Sequence, residues 1–530
     1  MILIVAFPSI VILFPANVPS YNKQNNGISV RTIYKEEKLT IYTCPCMDYD
    51  VVVVGSGFGS LTAAALLAKR GLKVCVLEQA KYAGGCASSF KRKGYWFETG
   101  ATTLVGLDLH MPLRYLLDET GITLPVRKLE KPMQVHLPNG QLLTRYQELE
   151  EWIGEAERVF GKYNQRAFWE HCYKVSKAVW HTSLQQQSFP PSNAKDLAYS
   201  ALHTRPAQLK LIPAAFRTMD DVLRKYKLLD NNLFVDFVNE QLLITAQNYL
   251  HEVNELFGAT ALCYTLYNNY NLDGGLINMV KPVVNYILDN GGDLQFGQEV
   301  QAISSIKEGY KVTTAKNTFQ SKFIISGIPL HNTAELFSDE AIKQRLQPYL
   351  LPSAKQNGAF TMGLVLKQQK TPEVLHHQVH VPQGLPIIGS KSIFVSFSHP
   401  ADDLRAPAGE VVASVSTHIP DPAQKFIEDK VPIEKAILAA LQQQELIQQK
   451  SISYSQSATP GAWTFWTKRA YGAVGGYPHY KSTKPWQMKD ARLDHRGAYV
   501  CGDTVYPGQG IVGVCLSGII AAHKLVQDHF

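Results

Sequence analysis

The sequence predicts an α/β fold built on a Rossmann-like parallel sheet. Three stretches predict it: the valine run Val51 to Val54, the glycine-spaced turn Gly55-Ser-Gly-Phe-Gly-Ser60, and a second apolar run from Leu72 that ends in Glu78. Four consecutive β-branched residues bounded by glycine are too short for a helix and read as a strand buried on both faces. Gly55 turns the chain, and Gly57, lacking a Cβ, lets the backbone approach a phosphate closely. The helix from Gly59 then points free N–H groups and the positive end of its dipole at that anion. Ala63 to Leu67 supply the helix, Lys69 and Arg70 complement its carboxyl end, and Gly71 offers a left-handed stop. Glu78, eighteen residues past Ser60, stands where an acid takes ribose hydroxyls. Ser60 holds the third fingerprint position, where Gly or Ala is usual, and Gly59 beside it is expected to relieve the helix–strand packing. A strand before, a helix after and an acid at this distance select a dinucleotide site over an idle glycine-rich turn.

A second glycine pair, Gly84-Gly85, lies just past the acid, where FAD-binding proteins of the two-dinucleotide type continue along the adenosine and pyrophosphate. NAD folds do not require it. At the far end, Gly497-Ala-Tyr-Val-Cys-Gly-Asp503 is a short strand running into an acid, and Pro507-Gly-Gln-Gly-Ile511 opens a final apolar helix. That arrangement resembles the flavin end of the same type of site, and the resemblance implies that Asp503 accepts hydrogen bonds from the ribityl chain or pyrophosphate. The helix start at Gly510 and Ile511 is expected to face the flavin pyrimidine, where a positive dipole stabilises the charge that reduction places on the ring. FAD is therefore the expected cofactor, and the single strong fingerprint indicates no separate NADPH domain.

With both ends read, the chain resembles the phytoene desaturase and carotenoid isomerase superfamily of FAD enzymes over nearly its full length. Tyr95-Trp-Phe-Glu-Thr-Gly-Ala101, Asp273-Gly-Gly-Leu276, Asp289-Asn-Gly-Gly292 and Cys501-Gly-Asp-Thr-Val-Tyr-Pro-Gly-Gln-Gly-Ile511 occur in the order that family shows them. The ending is similar to that of the carotenoid isomerases and the related C-3',4' end-group desaturases. Arg469-Ala-Tyr-Gly-Ala-Val-Gly-Gly-Tyr-Pro478 departs from the Gly-Thr-Tyr-Gly-Pro pattern of the isomerases and favours a desaturase. Gly84-Gly85-Cys86 replaces the Gly-Gly-Arg signature of amine oxidases. The resemblance implies an FAD-binding domain with an inserted α+β substrate domain. It also implies backbone contact with the adenine at Val300, and an acid near the flavin at Glu98 and Thr99. A strand on a solvent edge explains Glu98 and Thr99 as well, and turns around the amphipathic stretch Leu276 to Leu288 explain the glycine pairs at 274–275 and 291–292.

The 530 residues allow two or more domains. The expected division is a discontinuous FAD-binding domain from 47–110, 271–335 and 490–530, with 111–270 and 336–489 forming a substrate-binding and membrane-associating domain. Within the FAD-binding domain, Phe296 to Ile303, Tyr310 to Thr314 and Lys322 to Ile328 read as strands. Residues 1–46 begin apolar but fall short of a membrane span, and are expected to be a non-native or disordered extension ahead of a natural start at Met47. The eight cysteines show no C-x-x-C pair and no zinc spacing, so no metal site is expected and a reducing compartment suits them. Cys86 alone lies near the chemistry, and it reads as packing because no histidine partner is evident.

The +7 charge comes without a basic cluster interleaved with aromatics, so no nucleic-acid partner is expected. Between Leu202 and Leu228, Arg205, Lys210, Arg217 and Arg224 alternate with Leu209, Ile212, Phe216 and Val222, a pattern for a peripheral segment in lipid headgroups or for an ordinary surface helix. The expected location is the cytoplasmic side of a membrane, with a carotenoid or related polyene as substrate and a quinone or oxygen as electron acceptor. Desaturation needs hydride loss from an allylic carbon and proton loss from its neighbour, for which the sequence identifies no catalytic side chain. The aromatic segments Tyr264 to Tyr270 and Trp463 to Trp466 read as core, and Arg469 and His479 read equally as anchors or surface residues. The alternatives are a carotenoid cis-trans isomerase using reduced FAD, a retinol saturase-like reductase, and a flavoprotein that carries a polyene without turnover.

Overall fold

The computed structural model describes residues 4–7, 10–13, 47–368, 371–425 and 427–530. Ile4–Phe7 and Ile10–Leu13 pair as an antiparallel hairpin that is a unit by itself. The expectation for residues 1–46, Cys44 and Cys46 included, falls mostly outside the described residues. From Tyr49 the chain runs through β1 (Tyr49–Val54), α1 (Phe58–Lys69) and β2 (Val74–Glu78). Two distant stretches complete the sheet: β3 (Asp293–Phe296), β4 (Val300–Ile306), β5 (Gly309–Thr314) and β6 (Thr318–Ser326) from one, and β7 (Ala498–Val500) from the other, after which α2 (Gly510–His529) closes the chain. The strand order is β3-β2-β1-β6-β5-β4, with β7 beside β6. The pairings β3–β2, β2–β1, β1–β6 and β6–β7 are parallel.

Burial explains the valine run, since Val51, Val52 and Val53 are wholly enclosed with α1 packed against them. One expected strand divides. β3 stops at Phe296, the chain turns at Gly297, Gln298 N–H donates to Glu78 O at 2.9 Å, and β4 starts at Val300. The backbone bond to the end of β2 is what breaks the run.

The glycines of α1 act differently from the expectation. A Cβ on Gly518 would lie 2.2 Å from Gly59 O, so α1 and α2 cross backbone against backbone at that pair. Helix–strand packing is relieved elsewhere: a Cβ on Gly327, just past β6, would lie 1.6 Å from Ser60 Oγ. A serine fits the third fingerprint position because the opposing residue has no side chain. Among the described residues α2 is the one helix long and apolar enough to cross a membrane, yet most of its apolar window is buried inside the protein.

A second seven-stranded sheet draws its strands from 133–145 and 357–458. Its order is Ile452–Ala458, Asn357–Lys367, Glu410–Pro420, Ser392–Phe397, His376–His380, Met133–His136 and Leu142–Arg145. Helices between Leu149 and Leu262 cover part of it around a core rich in aromatics such as Trp152, Trp169, Phe234 and Phe237.

A buried ionic cluster fastens the helix Ala194–His203 to α2. Asp196 receives Arg492 Nη1 at 2.6 Å and Nη2 at 3.0 Å, and Arg492 also holds Asp528. Lys524, with no exposed surface, reaches Asp490, Asp196 and the carbonyl of Pro190. Removing one member of such a set strands the opposite charge at a cost of about 3–5 kcal/mol. Lys524→Met is therefore expected to lower the unfolding free energy by about that amount in urea titration. A loss below about 1 kcal/mol, the range of surface pairs, would show that the cluster is not what fastens this helix.

Candidate active site

The amino-terminal half of the site is backbone. Gly57 caps α1 with φ −56°, and a Cβ placed there would meet only Gly327 O at 3.8 Å, so it would project into open space. Gly84 N–H donates to Ser56 O at 2.8 Å, and the 84–85 turn closes on the first glycine loop so tightly that a Cβ on Gly85 would lie 3.3 Å from Gly57 Cα. Gly55, Gly84 and Gly85 all have positive φ, a conformation glycine adopts without strain. Two glycine loops with no side chains between them, at the start of a twelve-residue helix, form a cradle whose donors suit a pyrophosphate. Room for a dinucleotide is left at Gly57, where a Cβ would enter open space, while Gly84 and Gly85 let the second loop close on the first.

Glu78 is almost fully buried at the end of β2. Its Oε2 accepts from the backbone N–H and hydroxyl of Ser56, and its Oε1 accepts from Ala80 N–H at 2.7 Å. Oε1 thus retains an acceptor position for a ribose hydroxyl. Val300, half-buried, follows Gln298 by two residues and so lies next to the backbone that bonds to Glu78.

At the other end, β7 delivers Cys501 and Gly502, whose N–H groups bond to Ser326 O and to Ser517 Oγ of α2. Asp503 follows directly and is held by Arg469 Nη2 at 2.7 Å, while Arg469 Nε donates to Ala473 O. Arg469 is therefore an internal anchor that orients Asp503, not a surface residue. Cys86 lies close to this pair; burial pushes its thiol up, which suits the packing role. Gly510 starts α2 with φ +82°, and Ile511 behind it is buried in the core shared with α1. The first N–H groups of α2 have no intrahelical acceptors, which suits an electron-rich partner.

His479 is also internal. Its ring stacks on Phe257 with centroids 3.7 Å apart, borders Gly508, and is lowered to about 4 by burial. Glu98 is not on a solvent edge. Ser89 Oγ donates to it at 2.6 Å and Leu276 N–H at 3.2 Å, so it caps the start of the helix Ile277–Asp289, with Arg405 at 3.4 Å. Phe465 and Trp466 depart from the core reading: they project from the helix Pro460–Thr467 and are 66% and 74% exposed. Sequence reasoning missed Ser56 as the residue that fixes Glu78 and Arg469 as the partner of Asp503. The first was readable as a hydroxyl inside the fingerprint; the second carried no local signal.

The family profile described as flavin containing amine oxidoreductase matches residues 61–526. Among curated relatives, a chloroplastic prolycopene isomerase of Daucus carota is 23% identical over 510 residues, covering 91% of this chain and 80% of its own. A 4,4'-diapophytoene desaturase (4,4'-diapolycopene-forming) of Methylomonas sp is 22% identical over 515 residues, covering 90% and 95%. Among solved structures, a putrescine oxidase superposes with TM-score 0.58 at 14% identity, covering 90% of this chain and 99% of that one, a likeness of fold.

Proposed function

Because the chain belongs to the flavin containing amine oxidoreductase family and is an FAD-dependent oxidoreductase, we propose that it desaturates a carotenoid polyene. The observation that carries this reading is the likeness to a carotenoid desaturase across nine-tenths of both chains. Bound FAD supplies a hydride acceptor. The residues of the chain bind and orient: Gly57, Gly84 and Gly85 admit the pyrophosphate, Glu78 takes a ribose hydroxyl, Arg469 holds Asp503, and the start of α2 opposes developing negative charge. No side chain is assigned as a base.

Anaerobic incubation of the FAD-loaded protein with candidate carotenoids tests the proposal. Bleaching of the flavin with a lengthened polyene chromophore is expected, and a quinone or oxygen should restore the colour. Polyene geometry that changes only after the flavin has been reduced would replace desaturation by isomerisation, the second reading, which the likeness to prolycopene isomerase favours. Retained flavin with no response to any polyene would leave a carrier.

We further propose a peripheral position on the cytoplasmic side of a membrane. Supporting it, Leu202 is 83% exposed, and Leu209, Ile212 and Phe216 are each more than half exposed, interleaved with Arg205, Lys210 and Arg217. Phe216 leans on Trp486, with Lys484 over its ring at 5.4 Å. An apolar face bordered by cations suits anionic lipid. Flotation with phosphatidylglycerol vesicles is expected to show binding that falls about tenfold when Leu209, Ile212 and Phe216 are all changed to Ser. Unchanged binding would remove this face from the proposal.

A further inference from the structure

The end of the helix Asn232–Ala246 and the ends of the strands His376–His380 and Glu410–Pro420 enclose a cavity of about 430 Å3. Its wall mixes apolar residues such as Pro138 and Leu243 with several enclosed polar side chains, which a purely hydrocarbon ligand does not call for. Glu240, 6% exposed, accepts from Ser392 Oγ, and burial pushes its carboxyl up towards the neutral acid. His380 is equally enclosed, and its Nε2 has no hydrogen-bond partner. His418, lowered to about 4 by burial, is neutral and accepts from Gln247 Nε2 at 3.0 Å. The two lysines of the wall, Lys355 and Lys391, are exposed and stand at its mouth.

Gln247 connects this cavity to the flavin end of the cofactor site. It has a left-handed backbone, φ +59°, which a residue with a side chain adopts only when its surroundings hold it there. Asn357 Nδ2 donates to its carbonyl at 2.8 Å, and its amide packs so closely on Gly475 that a Cβ there would lie 2.6 Å from Gln247 Cδ. The next residue, Gly476, lies against the backbone of Asp503, where a Cβ would come within 2.3 Å of Asp503 O. Gln509, at the start of α2, donates to Ile244 O of the same helix end. One run of contacts thus joins the polar wall to the acid beside the flavin.

We propose that this cavity receives an oxygen-bearing end group of the polyene, a hydroxyl or carbonyl, with Gln247 as the positioning residue that sets its distance from the flavin. The inference rests on the polyene reading above and narrows it to an oxygenated carotenoid. A buried carboxyl group, neutral imidazoles and an amide offer both donors and acceptors, as a hydroxyl requires. An apolar ring in the same place would shield these groups from water and leave His380 Nε2 without a partner, an asymmetry by which a site discriminates between near-isosteric ligands.

The test titrates FAD-loaded protein in detergent micelles with β-carotene and with zeaxanthin, which carries one added hydroxyl on each ring, reading affinity from the perturbed flavin absorbance. Zeaxanthin is expected to bind about tenfold more tightly, and Glu240→Leu or Gln247→Leu to narrow the gap between the two polyenes to about twofold. Equal affinities in the native protein, or a gap that survives both substitutions, would overturn the end-group inference while leaving the polyene reading in place. If neither polyene perturbs the flavin, the polyene reading falls and takes this inference with it. The comparison in the native protein stands whether or not the variants fold, and Glu240→Gln, which keeps the side-chain volume, serves if leucine does not.

Discussion

Gly57→Val is expected to yield a folded protein that has lost FAD. The position tolerates a side chain on conformational grounds, since φ is −56°, and on steric grounds within the protein, since the nearest atom to a Cβ is Gly327 O at 3.8 Å. What the isopropyl group would fill is the cleft between the two glycine loops. A backbone that can no longer approach the pyrophosphate loses several N–H contacts at once, so FAD affinity should fall by on the order of 100-fold, about 2.7 kcal/mol. Purified protein should be colourless, with circular dichroism like that of native protein stripped of FAD. Gly154→Ala, in the helix Leu149–Phe160 with open space around the position, is the control: it should keep FAD and gain about 0.5–1 kcal/mol from helix propensity. A valine variant as yellow as the native protein would remove Gly57 from the cradle.

Acid should unfold the protein well before its carboxylates titrate. His376, His380, His418 and His479 are lowered to about 4, and His377 to about 3, in each case chiefly by burial. His376, His377, His380 and His479 are at most 9% exposed, and His418 is partly buried. Their folded values lie below the unfolded value near 6.5, so between the two the unfolded chain binds more protons. The stability these groups confer is complete above pH 6.5 and is lost as pH falls towards 4. One pKa unit is 1.36 kcal/mol, so each group withdraws about 3 kcal/mol over that window, and five together match a whole domain's stability of about 5–15 kcal/mol. Glu98 and Glu240, raised by burial, offset part of this, because their protonated forms suit the folded state. Asp490 and Asp528, lowered in the ionic cluster, add their loss only below the ordinary carboxylate range. Far-ultraviolet circular dichroism at constant ionic strength should show unfolding centred near pH 5. Native structure persisting at pH 4 would mean that these rings are hydrated or paired and do not titrate as buried groups.

The parts of the site that were legible are those that neighbours in the chain build by themselves. Val51 to Val54, Gly55, Gly57, the alanines of α1 and Glu78 form one βαβ unit whose geometry follows from β-branching, a missing Cβ and a helix dipole. The same holds for Gly84-Gly85 and for Asp503 ahead of Gly510. The readings that changed involve residues whose environment is made by distant segments. Ser60 is accommodated by Gly327, Glu98 is buried by Ser89, Leu276 and Arg405, and Arg469 is turned inward by Asp503, thirty-four residues on. Phe465 and Trp466 erred in the opposite direction, because hydrophobicity states what a side chain favours and not whether a partner surface is present.

By itself, the sequence determined an FAD fold and the glycine loops and acid of its βαβ unit, because their geometry is set within a few residues of each glycine. Only the tertiary structure decided which charged and polar side chains are enclosed, and therefore the Arg469–Asp503 pair, the acid-labile histidines and the polar cavity behind Gln247. Burial is a property of packing between segments hundreds of residues apart, and no local pattern encodes it.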